Sequence, residues 1–405
     1  MTAIFRRTAW VLFFALVIPA SVQEIHASGF GIFTQSASSL GQGAAVVSHT
    51  ESPSAIFFNP ALMNNLDGTQ VEIGTTLLFP SREFKSSSTG QSVEGKDRVF
   101  YPSTFYATHK FNNRISAGVG VFSPFGLGSD WGDTWEGRYI ATNSEMTTFD
   151  INPAVSFRLT PKISLAAGID ILLLDTTFEG KLNLGVDIGQ KFKGDGTGYG
   201  YNLGLLYDIT KNIAFGASYR SEIKVDITGQ GTFDRQIPGL LVNSEGKTDL
   251  TLPQQLFAGI SYKGFNPLTL EAGMRWEDWS SFKQLKVVFA NGLQSLQVRN
   301  WSDTYAFNFG AQYRLNDSVV LRAGYLYGQN PVPDSTFDPT IPDSNTHLFC
   351  VGTGLNFGEF TMDLAYAYQL QADRTKNNAV GAPTPANGEY STDIHIVAAS
   401  LKYRF

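Results

Sequence analysis

The side chains that could do chemistry are few in this sequence, and their spacing serves no familiar reaction. His49, His109, His347 and His395 are scattered, without metal-ligand spacing. No G-x-S-x-G elbow, phosphate loop or dinucleotide fingerprint occurs. Inward serines and aspartates could build a hydrolase site only if a histidine converged on them. Alternation places His395 on the outward face and His109 beside a turn. Cys350 is the only cysteine, so it has no intramolecular partner, and its parity makes it an inward packing residue. No catalytic residue, metal or cofactor is therefore assigned. What remains is charge. Arg220 and Lys224 share one inward face by alternation and could contact a carboxylate, but Glu222 and Asp226 share that face and could equally be their structural partners.

The elements that must carry these residues read as strands. In Ile213–Thr228, Ile213, Phe215, Ala217, Tyr219, Ile223, Val225 and Ile227 oppose a polar set running from Gly216 to Thr228. The same period of two recurs at Phe149–Leu159, Tyr305–Leu315, Val319–Tyr327 and Phe360–Gln371. Short polar turns (111–114, 160–162, 208–212, 263–267, 316–318, 358–359) alternate with long segments at 80–98, 122–145, 179–198, 228–251, 329–345 and 372–391. Short turns at one end and long loops at the other describe an all-β transmembrane antiparallel barrel of about 14 strands over residues 69–405, each strand with its connection taking roughly 24 residues. Twelve or sixteen strands would follow if residues 280–300 are misread. A soluble sandwich would need apolar runs on two buried sheets.

Both ends fit export to an outer membrane. Residues 1–27 have the form of a cleaved signal peptide: Arg6 and Arg7, an apolar Trp10–Ile18 core too short to span a bilayer, and Ala27 closing a small-residue cleavage site. The net charge of −6 gives no general affinity for nucleic acid. The chain stops on Phe405 after Val397, Ala399, Leu401 and Tyr403 on the lipid face, resembling the signal read by barrel-assembly machinery. Nothing suggests more than a monomer.

Residues 28–68 break the strand pattern. Ser52-Pro53 and Asn59-Pro60-Ala61 each put a capping residue before proline at a first helical position. Short helices there would bury Ile56, Phe57, Phe58, Leu62 and Met63 in the lumen as a plug. Ser123-Pro124-Phe125-Gly126 follows the third strand. There proline removes a ladder bond and glycine loosens the backbone, so the strand either ends or kinks. Two outer loops are unexpectedly apolar, one with Leu182, Leu184, Ile188 and Phe192, the other with Phe233, Ile237, Leu240 and Leu241. They either pack over the barrel mouth or form a landing site for a greasy molecule.

Asn59-Pro60-Ala61 lies about 30 residues after Ser28-Gly29-Phe30. Ser123–Leu127, Trp135–Tyr139, Ile151-Asn152-Pro153, Ser218–Ser221, Pro331–Asp334 and Ile341-Pro342-Asp343 follow in order. In this the chain resembles the FadL-type outer-membrane transporters of long-chain fatty acids and hydrocarbons over its whole length after the leader. The resemblance implies an N-terminal hatch over residues 28–68 with its motif at Asn59–Ala61, a lateral opening at a kink in the third strand, and first capture of substrate on the two apolar loops. The function expected is passive uptake of a hydrophobic small molecule, most simply a long-chain fatty acid, which leaves into outer-membrane lipid. A general porin for small polar solutes, or uptake of aromatic or alkane hydrocarbons by the same route, are the alternatives.

Overall fold

A computed structural model describes residues 29–405; the expected signal peptide and Ser28 lie outside the described residues. The chain forms a closed antiparallel barrel of fourteen strands. In order these are Thr69–Ser86, Ser103–Lys110, Ile115–Phe122 continued by Gly126–Asp130, Asn143–Thr160, Ile163–Asn183, Asp187–Asp208, and Ile213–Arg220 continued by Ile223–Phe233. Then come Ser244–Leu252 continued by Gln255–Phe265, Leu268–Glu277, Thr304–Arg314, Val319–Gly328, Thr346–Phe357, Phe360–Gln371 and Gly388–Arg404. The first strand closes the ring on the fourteenth, from Gln70 opposite Arg404 to Ser86 opposite Gly388.

Alternation sets the two faces. On the fourth strand Phe149, Val155, Phe157 and Leu159 are exposed, while Thr148, Asp150, Asn152 and Ser156 are buried. Apolar outside and polar inside suits a wall whose solvent is lipid, where closure leaves no unpaired strand edge. The turns expected at 111–114, 316–318 and 358–359 fall between strands, and those at 160–162, 208–212 and 263–267 fall at strand junctions, with Thr160, Asp208 and residues 263–265 still in the preceding strand. Residues 280–300 add no wall strand; they form a 3-10 turn at Trp279–Ser281 and a loop hairpin, Gln284–Phe289 with Gln294–Val298.

Two expected loops are instead strand. Residues 179–198 lie mostly in a hairpin that turns only at 184–186, and residues 228–251 narrow to a loop between Phe233 and Ser244. Glycines hid the pattern. Gly194, Gly196 and Gly198 all face inward, and a Cβ on each would come within 3 Å of Ile227, Val225 or Ile223.

Residues 29–66 lie inside the barrel. Ser36 caps a helix at Ala37–Leu40, a second runs Ala55–Phe58, and Asn59 caps the 3-10 helix Pro60–Asn65 by accepting from the Ala61 N–H at 3.1 Å. Ser52 is not a helix cap as expected; the helix starts after Ser54, and the Ser52 hydroxyl donates to Glu72 at 2.6 Å. The lumen's polar side chains satisfy this segment's backbone. Glu271 accepts from the Val47 and Ser48 N–H groups at 2.6 and 2.9 Å, and Asn59 donates to the Val47 and Leu205 carbonyls at 2.9 Å. Ile56, Phe57, Phe58 and Met63 pack with Tyr106, Phe122 and Phe257 of the wall. Close approach needs bare backbone: a Cβ at Gly324 would sit 2.1 Å from the Gln42 carbonyl carbon.

Candidate functional site in the barrel wall

The third strand pairs with the second as far as Val121 opposite Phe105. Pro124 then offers no N–H, and the register to the fourth strand slips by one residue, from Phe122 opposite Asp150 to Gly126 opposite Thr147. The Thr148 hydroxyl bridges the slip, donating to the Phe125 carbonyl at 2.6 Å and accepting from the Phe125 N–H at 3.2 Å. Above this kink, Gly126–Asp130 forms its ladder with the fourth strand and meets the segment before the second strand only at its top, where Lys96 N–H donates to the Asp130 carbonyl at 2.8 Å, while Phe100 and Pro102 stay with the first strand, accepting from the Leu78 and Thr76 N–H groups. The wall is thus parted between the second strand and the upper third strand.

Residues 30–32 occupy the vacated ladder. Ile32 N–H donates to the Pro124 carbonyl at 2.8 Å, and Gly126 N–H to the Phe30 carbonyl at 2.9 Å, around a bridge between Gly31 and Phe125. The Gln35 amide donates to the Ser123 carbonyl at 2.9 Å. Phe30 is gripped by Trp279, Phe282, Trp301 and Phe125, with centroids 4.6–6.2 Å away. Gly29 N–H donates to Asp343 at 2.8 Å. Burial pushes the Asp343 carboxyl up to about 7, against that hydrogen bond and the charge of Arg374, which pull it down.

A cavity of about 630 Å³ lies at this junction, bounded by residues 29–34, the Leu78–Phe100 edge, Ser123 and Phe125–Gly128, and Ile341–Asp343. Its lining reaches Val99, Tyr101 and Phe149, which are exposed on the outer surface, so the cavity meets the lipid-facing side. Ser123, Phe125 and Gly126 line it directly. Asn59, Pro60 and Ala61 do not. They sit on the sixth strand, where a Cβ at Gly204 would lie 2.5 Å from Asn59 Oδ1.

The loop candidates divide. Phe192 and Phe233 meet at a second cavity of about 80 Å³ with Ile140, Leu285 and Phe289. Ile188 and Leu241 are buried, Leu182 and Ile237 half-buried, and Leu184 and Leu240 about half exposed.

The two cations also part company. Arg220 is buried in the lumen, its guanidinium 2.6 Å from Asp170 and donating to the Ile56 and Phe57 carbonyls at 3.2 Å. It stacks over Phe57 and Phe122 at 4.9 and 5.1 Å. Lys224 does not face inward as expected. Its side chain is exposed beside Asp226 and Asp249 at 3.9 and 3.8 Å. The cause is a break at Ser221–Glu222, with its counterpart at Pro253–Gln254, which reverses both faces: Ile223, Val225, Ile227, Leu250 and Leu252 point in above it. One residue of consequence was not singled out from the sequence. Arg82 lies in the cavity lining on the inward parity of the first strand, with Leu78 and Phe84. That parity was the available signal.

The outer membrane protein transport protein family (OMPP1/FadL/TodX) matches residues 19–405. A putative outer membrane protein of Neisseria meningitidis is 22% identical over 94% of this chain and 96% of its own length. The long-chain fatty acid transport protein of Escherichia coli is 23% identical over 76% of this chain and 80% of its own. Among solved structures, a Pseudomonas aeruginosa FadL homologue superposes with a TM-score of 0.85 at 20% identity, covering 93% of this chain and all of that one. The toluene transporter TodX of P. putida gives 0.74 at 18%, covering 94% and 99%. At these identities the structural matches establish the fold.

Proposed function

Since the chain belongs to the OMPP1/FadL/TodX family of outer-membrane proteins that transport hydrophobic compounds, we propose that its substrates are long-chain fatty acids and that they leave sideways through the barrel wall. The observation that carries this reading is the cavity at the parted third strand, stoppered by residues 29–34 and continuous with the lipid-facing surface. Residues 28–68 act as the hatch, with Asn59–Ala61 anchoring its floor. A greasy molecule lands on the outer loops near Phe192 and Phe233, then enters an upper lumen lined by Ile223, Val225 and Ile227. Release of Phe30–Ile32 from Pro124–Gly126 then exposes the wall cavity. Transfer of apolar surface from water drives the process, by about 0.8 kcal/mol per buried CH₂. In this scheme the protein works as a monomer, and Phe405 closes the strand presented to the barrel-assembly machinery.

Uptake of labelled oleate and of toluene by cells lacking other transporters, with and without this protein, tests the substrate. Oleate accumulation above the empty control is expected. Toluene accumulation without oleate would establish the hydrocarbon reading instead. No gain for either would overturn hydrophobic uptake.

A further inference from the structure

We propose that Arg82 is an anion receptor at the loop end of the wall cavity, which makes the cavity selective for single-chain amphiphiles with a carboxylate head over neutral chains. The proposal rests on reading that cavity as the substrate's passage.

The charges lining the cavity are not equivalent. Arg98 is neutralised by Glu145 at 2.7 Å and also donates to Asn143. Asp343 holds the Gly29 N–H. Arg82 differs from both. Its Nε is buried with no hydrogen-bond partner among the described residues, and no carboxylate there pairs with its guanidinium. Arg82 is half-buried and lines the cavity, so its guanidinium is enclosed at Nε without a counter-charge yet stays reachable from the chamber, an arrangement suited to a ligand that brings the charge. Guanidinium is also suited to a carboxylate, which it can bind through two parallel N–H donors.

The placement fits an amphiphile. Arg82 stands four residues along the first strand from Leu78, about 13 Å nearer the loops at the usual rise of a strand. Between them the lining is apolar, with Pro80, Phe100, Leu127 and Met146. A volume of about 630 Å³ falls inside the roughly 300–1,000 Å³ of small-molecule sites. The head would be held near the outer interface while the chain points toward the parting at Gly126.

Equilibrium binding of oleate and of oleyl alcohol, the uncharged equivalent, to the full protein in lipid nanodiscs at pH 8 reads this directly. The wild type should prefer oleate. Arg82→Met should weaken oleate at least about tenfold, the scale of one lost charge-assisted contact, and leave oleyl alcohol within about twofold. Arg82→Lys should recover part of the loss. Heat-modifiable gel mobility confirms that each variant is folded. Equal binding of acid and alcohol by the wild type, or equal loss of both in Arg82→Met, would overturn the receptor while leaving hydrophobic passage intact. Tighter binding of hexadecyl phosphate than of oleate would overturn the carboxylate assignment. Failure of the wild type to bind either chain would remove the passage reading, and the receptor with it.

Discussion

Burial pushes the Asp343 carboxyl up to about 7 in the folded protein, against 3.8 for a free aspartate. The folded state therefore holds a proton more tightly than the unfolded chain, and the resulting stabilisation is complete below about pH 4 and is lost as pH rises through about 7. Thermal unfolding followed by heat-modifiable gel mobility should come at a lower temperature at pH 8 than at pH 5, and Asp343→Asn should narrow that difference. An equal pH dependence in wild type and Asp343→Asn would refute the linkage. Asp343 was legible only as part of a family-like motif, because its partner, the Gly29 N–H, lies over three hundred residues away. Arg220 was legible as inward-facing, but not as a clasp on the Ile56 and Phe57 carbonyls. Period-two reading misplaced Lys224 because it carries no signal for an added residue; Ser221-Glu222 looks like any polar pair.

The third strand shows how an element turns one missing donor into an opening. Pro124 stops the ladder, the register slips by one, and the N-terminal segment supplies the absent partner. A Cβ at Gly126 would lie 2.7 Å from Ile32 Cδ1. Gly126→Val should therefore crowd the contact between stopper and kink, favour release of residues 30–32 and raise uptake by about fivefold or more, with folding intact, since overpacking at one edge costs only about 1–3 kcal/mol. Unchanged uptake by a correctly inserted variant would show that the kink is not the gate. The sequence of this strand left end and kink undecided, because Pro and Gly produce either. The choice depends on residues 30–32, which no local pattern joins to it. The long hairpin at 163–208 was read short for a related reason: glycines that make room for Ile223, Val225 and Ile227 look like loop when taken singly.

At the scale of the whole molecule, fold class and strand number were the most legible features, since lipid outside and a filled lumen inside impose one alternation on every strand. The filling itself was legible as an apolar segment needing burial; its seat against Glu271, Asn59 and Gly324 was not. A barrel so filled should pass no large steady ionic current in planar bilayers, and sustained ohmic conductance by wild-type protein would favour a general porin.

The paired breaks at Ser221–Glu222 and Pro253–Gln254 carry a further consequence. Below them the inner wall shows Ser218, Arg220 and Gln255; above them, Ile223, Val225, Leu250 and Leu252. A shift in the alternation has divided one tube into an oily chamber standing on a salty floor. In the uptake scheme proposed above, a hydrocarbon chain entering the upper chamber would meet a phase boundary drawn in side chains, and like oil on brine it would spread sideways.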